Sequence, residues 1–349
     1  MTQQTFAVGR RPRVVIRSMN GNLTVRPWNE HSISVEADGP IPELYQEGDT
    51  LVINGCQSNL DLFVPYVKKL FGTTSLVTDI SVTDLSGTAT MENVGSVYLS
   101  NVSGAVELTQ VNGSLRATGA PTLREHRGIG GDAMLSNISR IELGAVGGSL
   151  RLATTETVTV GAVGGSLKAE QVGALLKCGS VGGSCEVRNS ARAEVVVSNV
   201  GGSLLLDGVV RMPSCNIGGS LSMLADLPTD SNVRLLVGGS ATLMLPKNAN
   251  LAMHILASGS ISGDALSKKY GNSANITYGN GAATLNLTAG GSVKLLWTNA
   301  TTAWAAPHQE MREEVPSSLA QKRQAILQMV AQGHVTPEEG NVLLDALGG

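Results

Sequence analysis

One cluster of side chains could carry acid–base or binding chemistry: the run Arg124-Glu125-His126-Arg127, which follows Pro121. A carboxylate next to an imidazole can move a proton near neutral pH, because histidine titrates there. An enzyme that worked through this cluster would lose activity when Glu125 or His126 is replaced. The same run is typical of a solvated loop, and we favour that interpretation. No Ser-His-Asp or Cys-His set follows from the spacing of the other histidines, so no catalytic residue is predicted. Those histidines are His31, His254, His308 and His334.

Two glycine-rich segments share features with ligand-binding loops. Gly161–Lys168 (GAVGGSLK) ends in a lysine, but it lacks the G-x-x-x-x-G-K-[ST] spacing of a phosphate-binding loop. Gly128–Asp132 (GIGGD) shares its glycines and aspartate with calcium-binding β-roll loops, which need tandem copies, whereas this aspartate occurs once. Both segments are therefore predicted to be structural corners, and no metal or cofactor is expected.

The four cysteines also favour structure over chemistry. Cys178 and Cys185 fall on inward positions of an alternating pattern, and Cys56 and Cys215 have no partner at the spacing of metal ligands. Reduced, buried thiols in a cytosolic protein are the simplest interpretation.

The elements that must position these residues are set by a repeat. The sequence Val-Gly-Gly-Ser, or its variant Ile-Gly-Gly-Ser, recurs at steps of 17 to 20 residues. A fixed period of this length indicates a repeat architecture. The marker residues that begin each copy are Val146, Val163, Val181, Val200, Ile217 and Val237.

Between the markers, apolar and polar residues alternate with period two, which is typical of strands with one buried face. Leu150 and Leu152 flank Arg151, and Val158 and Val160 precede the next marker. The paired glycines favour sharp corners, because glycine accepts positive φ without a clash of Cβ. Two short strands and a corner fit one coil of a solenoid whose equivalent strands stack about 4.8 Å apart. The predicted fold is all-β: a parallel β-solenoid (β-helix) of about 17–20 residues per coil, with a short C-terminal α-helical hairpin.

Composition narrows the class of protein further. Glycine is frequent, at 42 residues, and aromatic residues make up only 3% of the chain, which suits a narrow core of small aliphatic side chains. A net charge of −3 argues against nucleic-acid binding. The N-terminus has no apolar signal segment, and no apolar stretch approaches the length of about 18 residues that a membrane span needs. A cytoplasmic location is therefore predicted. The one basic run, interpreted as a solvated strand, is Arg10, Arg11, Arg13 and Arg17.

Four segments are predicted along the chain. Residues 1–70 form a β lead-in that caps the solenoid, residues 71–298 the solenoid itself, residues 299–317 a linker and residues 318–349 a helical hairpin. Two helices this short cannot bury a sufficient core alone, so the hairpin is expected to bind a second copy or another protein. Its predicted interaction face consists of Leu319, Ile326, Leu327, Val330, Val342, Leu343 and Leu347.

Several segments resemble known bacterial families. Asn20–Ala37 (NGNLTVRPWNEHSISVEA), Leu60–Pro65 (LDLFVP) and Asn101–Leu115 (NVSGAVELTQVNGSL) are similar to the β-solenoid family described as "putative adhesin", whose molecular function is unknown. Ile326–Leu347 (ILQMVAQGHVTPEEGNVLLDAL) resembles the SHOCT-like helical hairpin that is often fused to such solenoids. Together the two resemblances cover nearly the whole chain. They imply a bacterial, non-enzymatic protein, with some relatives linked to cell-envelope stress, and they transfer no catalytic residues.

Three functions remain open from the sequence. We favour a non-enzymatic scaffold or self-assembly protein whose helical tail mediates its interactions. The first alternative is a regulatory interaction module in a bacterial envelope-stress pathway. The second is a carbohydrate-binding or carbohydrate-active β-helix protein. The residues predicted to face outward form no acidic stack, which disfavours a carbohydrate-active enzyme. Those residues are Arg151, Lys168, Glu186, Leu205 and Ser222.

Overall fold

The computed structural model describes residues 2–9, 11–65, 77–208, 212–268 and 270–298, which contain 27 β-strands. The strands in chain order are β1 (Thr2–Ala7), β2 (Arg13–Met19), β3 (Leu23–Trp28), β4 (Ser32–Ala37), β5 (Glu43–Glu47), β6 (Thr50–Cys56), β7 (Leu60–Pro65), β8 (Asp79–Leu85), β9 (Ala89–Met91), β10 (Val97–Val102), β11 (Val106–Leu108), β12 (Leu115–Glu125), β13 (Ala133–Val146), β14 (Leu150–Val163), β15 (Leu167–Val181), β16 (Cys185–Arg188), β17 (Glu194–Val200), β18 (Leu204–Asp207), β19 (Ser214–Ile217), β20 (Leu221–Leu224), β21 (Asn232–Val237), β22 (Ala241–Pro246), β23 (Leu251–Ala257), β24 (Ile261–Ser262), β25 (Ser273–Thr277), β26 (Ala283–Ala289) and β27 (Val293–Thr298).

Most strands stack in parallel on the equivalent strand of the next coil, and each coil contributes to two faces. Face A consists, in spatial order, of β6, β2, β8, β10, the first halves of β12, β13, β14 and β15, then β16, β18, β20, β22, β27 and β24. Face B consists of β7, β3, β9, β11, the second halves of β12 to β15, then β17, β19, β21, β26 and β23.

The register of this stack follows the sequence repeat. Leu150 pairs with Leu167, Cys185 with Leu204, and so on at the predicted steps. The marker residues form one continuous line of their own, because Val146 pairs with Val163 and Val200 with Ile217. The predicted all-β, mostly parallel stack is therefore confirmed. The predicted linker and helical hairpin lie outside the described residues.

The core is a set of stacked aliphatic side chains. In the coil that starts at β14, the side chains of Leu150, Leu152, Val158, Val160 and Val163 are each at most 3% exposed. Arg151 and Thr159, which lie between pairs of these residues, are exposed, as period two requires. Burying each such side chain contributes about 1.5–3 kcal/mol, so the stack gains stability with every coil.

The paired glycines serve a different purpose from the predicted one. The glycines of these pairs do not have positive φ. The first glycine instead passes directly over the backbone of the preceding coil: a Cβ on Gly147 would lie 2.5 Å from the carbonyl oxygen of Gly130. A Cβ would likewise lie close to the carbonyl oxygen of the equivalent glycine in the preceding coil at five further positions: Gly164, Gly182, Gly201, Gly218 and Gly238. The corner needs glycine because the coils are packed closely, not because the chain turns left-handed.

Positive φ occurs at the other corner, between face A and face B. In ten successive coils, the residue two positions after the second inward residue of face A has φ between 52° and 70°. Asparagine and aspartate tolerate this conformation better than other residues with a side chain. In spatial order these corner residues are Gly55, Ser18, Asp84, Asn101, Gly119, Asn137, Thr154, Gln171, Asn189 and Gly208.

Both ends of the stack have a coil out of chain order. The coil of β2 and β3 lies between the coil of β6 and β7 and the coil of β8 and β9. At the other end, β26 and β27 lie between β21–β22 and β23–β24. Antiparallel strands then pair with the outermost coils: β5 with β6, β4 with β7, and β25 with β23. β1 pairs in turn with the outer edge of β4.

The coil geometry thus begins at Arg13, inside the segment predicted as a separate lead-in. The strands that cover the N-terminal end of the stack, β1, β4 and β5, come from the same segment. The predicted boundary at residue 70 falls outside the described residues and stays a prediction.

We predict that Gly147→Ala lowers the free energy of unfolding by about 2 kcal/mol, because the new methyl group overlaps the carbonyl of Gly130. Gly271→Ala is the matched control, since nothing lies within 4 Å of a Cβ there. Thermal and urea unfolding of the two variants checks this. Equal stabilities would show that the glycine corner can relax and that close packing does not require glycine.

Candidate functional site

Glu125 lies in the core of the stack. It ends β12 on face B, where its neighbour in the preceding coil is Leu108, and it is only 4% exposed. In the following coil Arg124 pairs with Glu142, so the next residue, Leu143, is the neighbour of Glu125. A carboxylate therefore occupies a position that leucine fills on both sides.

Backbone N–H groups hold the buried carboxylate of Glu125. Oε1 accepts hydrogen bonds from the amide of Arg127, at 2.8 Å, and from the amide of Gly128. Oε2 accepts one from the amide of Gly144, at 3.2 Å, in the next coil. A buried charge is tolerated when hydrogen bonds satisfy it, and here both carboxylate oxygens are engaged. Glu125 thus fixes the turn over residues 126–128 and is not free for acid–base chemistry.

The rest of the charged cluster faces solvent. His126 and Arg127 are exposed, and Arg124 Nε lies 3.1 Å from Glu142 Oε2 on the outer surface of face B. The predicted solvated loop is right for His126 and Arg127 and wrong for Glu125, because Glu125 belongs to the inward side of the strand. The structure therefore does not bring the carboxylate and the imidazole together.

Both glycine-rich segments are corners, as predicted. Gly161–Lys168 runs from the end of β14 into β15, and Lys168 Nζ lies 3.3 Å from Glu170 Oε1 and 3.6 Å from Glu186 Oε1. In Gly128–Asp132, Asp132 Oδ1 accepts a hydrogen bond from the amide of Ser149 at 2.7 Å.

The serines of the repeat continue this bonding from coil to coil. Ser149 Oγ accepts a hydrogen bond from the amide of Ser166, and Ser166 Oγ accepts one from the amide of Ser184, each at 3.2 Å. The line continues through Ser203 and Ser220. These hydroxyl oxygens accept hydrogen bonds from backbone amides of the next coil, which gives the serines a structural role at the corner.

The four cysteines are buried and free of disulfides. Burial raises the pKa of Cys178 to about 11 and the pKa of Cys215 to about 12. Burial also raises the pKa of Cys185, and repulsion from the thiolate forms of Cys178 and Cys215 adds to this. Thiolates are the reactive form of cysteine, so the raised pKa values of Cys178, Cys185 and Cys215 disfavour their reactivity at neutral pH. Among the described residues, no three His, Cys, Asp or Glu side chains are placed to hold a metal ion.

One surface depression among the described residues is on face A. Five outward residues of successive coils, Tyr98, Arg116, Met134, Arg151 and Lys168, follow one another in register. Two cavities of about 400 and about 420 Å³ lie along them and share Met134. We call this surface the face A groove. The predicted outward order of Arg151, Lys168 and Glu186 is confirmed, and the first two of these residues lie in the groove.

The face A groove was not predicted from the sequence, because the outward residues were considered only as a possible stack of acidic side chains. The signal was present as a tyrosine, a methionine and cations at equivalent positions of neighbouring repeats. The predicted interaction face of the tail, from Leu319 to Leu347, lies outside the described residues. Those residues contain no helix long and apolar enough to cross a membrane.

Comparisons with known proteins add little to this geometry. No protein-family model matches the chain, and no curated protein matches it. The chain is similar to a solved structure described as a "putative cell adhesion protein" from Clostridium sporogenes ATCC 15579, at 12% identity, over 85% of this chain and 99% of that chain, with a TM-score of 0.18. That description is of the same kind as the adhesin family that the sequence resembles, but a TM-score this low carries no argument about function. The SHOCT-like resemblance of the tail finds no match and stays a prediction.

We predict that Glu125→Leu destabilises the protein, although leucine occupies this position in both neighbouring coils. The substitution leaves the amides of Arg127, Gly128 and Gly144 without their acceptor, which costs about 3 kcal/mol. Urea unfolding checks this, with the exposed His126→Ala as the control that leaves stability unchanged. If Glu125→Leu is as stable as the parent chain, the buried carboxylate has no structural role.

We predict that stability falls as the pH rises above the ordinary thiol value of 9.0. Above that value the thiols of the unfolded chain lose protons that the folded chain keeps, so the free energy of unfolding decreases until the folded thiols ionise at about pH 11–12. Below it the contribution is fully present. Cys178→Val matches the neighbouring Val160 and Val197, and melting curves below and above pH 9 should show a smaller alkaline loss in this variant. An unchanged alkaline loss would assign it to other groups.

Proposed function

We propose that the protein is a non-enzymatic scaffold, in which the stack presents outward side chains to partners and residues 318–349 bind a protein. The observation that supports this most is the use of the chemically capable side chains. Glu125 and Asp132 accept hydrogen bonds from backbone amides, and Lys168 is paired with Glu170 and Glu186. These three side chains thus hold the backbone and neighbouring coils together.

The two ends of the stack bear on how such a scaffold would assemble. End-to-end growth needs an open parallel edge, but antiparallel β5 and β25 pair with the outermost coils. β5 also carries Glu43 and Glu47, and charged side chains on an edge strand oppose pairing with another chain. We therefore propose that self-association runs through the tail, not through the ends of the stack.

The test is the size of the full-length chain in solution. Light scattering and negative-stain microscopy over a range of concentrations should show discrete oligomers and no growing filaments. Leu327→Asp, on the predicted apolar face of the tail, should reduce them to monomers, because an unpaired charge would have to be buried in the contact. Gln328→Asp, on the predicted polar face, is the matched control and should leave the size unchanged.

Two results would contradict this proposal. Filaments that lengthen with concentration would show that the ends of the stack associate despite their covering strands. Oligomers that survive Leu327→Asp would place the contact elsewhere than on the predicted face of the tail.

A further inference from the structure

We propose that the face A groove binds an extended acidic polysaccharide, laid along the stacking direction, with a carboxylate on every second sugar. The first argument is the state of its cations. Arg116 Nη2 lies 3.1 Å from Met134 Sδ, and a thioether is only a weak acceptor. Within the part of the chain that the structure describes, neither Arg116 nor Arg151 forms an ion pair. Both guanidinium groups are therefore available to an anionic ligand.

The acidic residues that line the groove are already engaged. Asp79 Oδ1 accepts a hydrogen bond from the amide of Ser96 at 2.6 Å, and Asp132 Oδ1 accepts one from the amide of Ser149 at 2.7 Å. Hydrogen bonds from amides disperse the charge of a carboxylate. The repulsion that these groups would exert on a bound anion is reduced, while the charges of Arg116 and Arg151 remain.

Two apolar platforms alternate with the cations: Tyr98 lies one coil before Arg116, and Met134 lies between Arg116 and Arg151. Tyr98 is 43% exposed and Met134 is 36% exposed, although aromatic residues are rare in this chain. The C–H faces of a sugar ring pack well against an aromatic ring or a thioether, whereas a simple anion gains nothing from them. A groove that alternates apolar platforms and guanidinium groups thus fits a ligand that alternates sugar faces and carboxylates.

The spacing of the coils favours a chain over a single sugar. Tyr98, Arg116, Met134 and Arg151 lie on four successive coils, so the backbone advances about 4.8 Å from each to the next, and the backbones of Arg116 and Arg151 are about 10 Å apart. One sugar of an extended chain advances by a similar length. Carboxylates on alternate sugars would meet Arg116 and Arg151, and the sugar between them would lie on Met134.

A nucleic acid fits this groove less well. Its phosphates are too closely spaced for two free guanidinium groups that lie two coils apart. An acidic peptide would use the same cations but not the platforms. A peptide of glutamates therefore becomes a comparison ligand in the test.

The experiment is titration calorimetry of the full-length chain with a hyaluronan octasaccharide, in which uronate alternates with a neutral sugar. We expect binding that weakens as salt is added, since exposed charges are screened. A chito-oligosaccharide of the same length, which lacks carboxylates, should bind at least about tenfold more weakly, since it cannot form charged hydrogen bonds with Arg116 and Arg151.

Variants separate the groove from general charge. Arg116→Gln with Arg151→Gln, and separately Tyr98→Ala, should each weaken binding by at least about tenfold, whereas the exposed Lys177→Gln on face B should not change it. Leu327→Asp should bind as the parent chain does, so a failure of the tail proposal leaves this result intact.

Three outcomes would overturn the proposal. The parent chain could fail to bind the octasaccharide, Lys177→Gln could weaken binding as much as the double arginine variant, or an octaglutamate peptide could bind as tightly as the glycan. The last result would show a surface that recognises charge alone.

Discussion

The hydrogen bonds between parallel strands hold successive coils about 4.8 Å apart, and every corner of the chain must fit within that distance. At the glycine corner, Gly147 donates from its amide to the carbonyl of Ile129 at 2.8 Å, and Gly164 repeats this bond to Val146. At this corner a Cβ would point toward the preceding coil, and on Gly147 it would lie 2.5 Å from the carbonyl oxygen of Gly130. The next residue after the glycine pair is serine, whose short side chain reaches the amide of the following coil. The composition of the repeat is thus a consequence of one distance.

Two polar side chains enter the core at departures from the repeat. Glu125 is buried at the end of β12, before the turn over residues 126–128, and Ser190 is buried just after β16. Ser190 Oγ accepts a hydrogen bond from the amide of Val172 at 3.1 Å and donates one to the carbonyl of Arg188 at 2.9 Å. In both cases an irregular backbone leaves amides or carbonyls unpaired, and a buried side chain satisfies them. Such polar residues interrupt the apolar alternation and can be mistaken for catalytic residues in a sequence. Here they form hydrogen bonds with backbone groups that would otherwise be unpaired.

The coil length, the two faces and the buried residues could be predicted from the sequence, because they follow from the repeat period and the alternation of apolar and polar residues. Leu150, Leu167 and Val200 stand where their spacing placed them. Less could be predicted about the corners. The glycine pairs were predicted to have positive φ, yet the corner residues with positive φ are others, such as Asn101 and Asn137. Each of these lies two positions after an inward residue. The face A groove and the burial of Glu125 depend on which residues become neighbours across coils. The out-of-order coils at the ends have no local sequence signal, since an inserted coil has the same alternation as any other.

Those inserted coils change how the molecule would come apart. A linear array of repeats frays from its ends, because a terminal repeat has only one neighbour to hold it. Here the first coil in the chain, that of β2 and β3, is bonded on both sides, and so is the last described coil, that of β26 and β27. A force that pulls on β2 from the N-terminal side, or on β27 from the C-terminal side, must draw a coil out from between two others. The first and last described coils are thus each held on two sides, unlike the terminal repeats of a linear array.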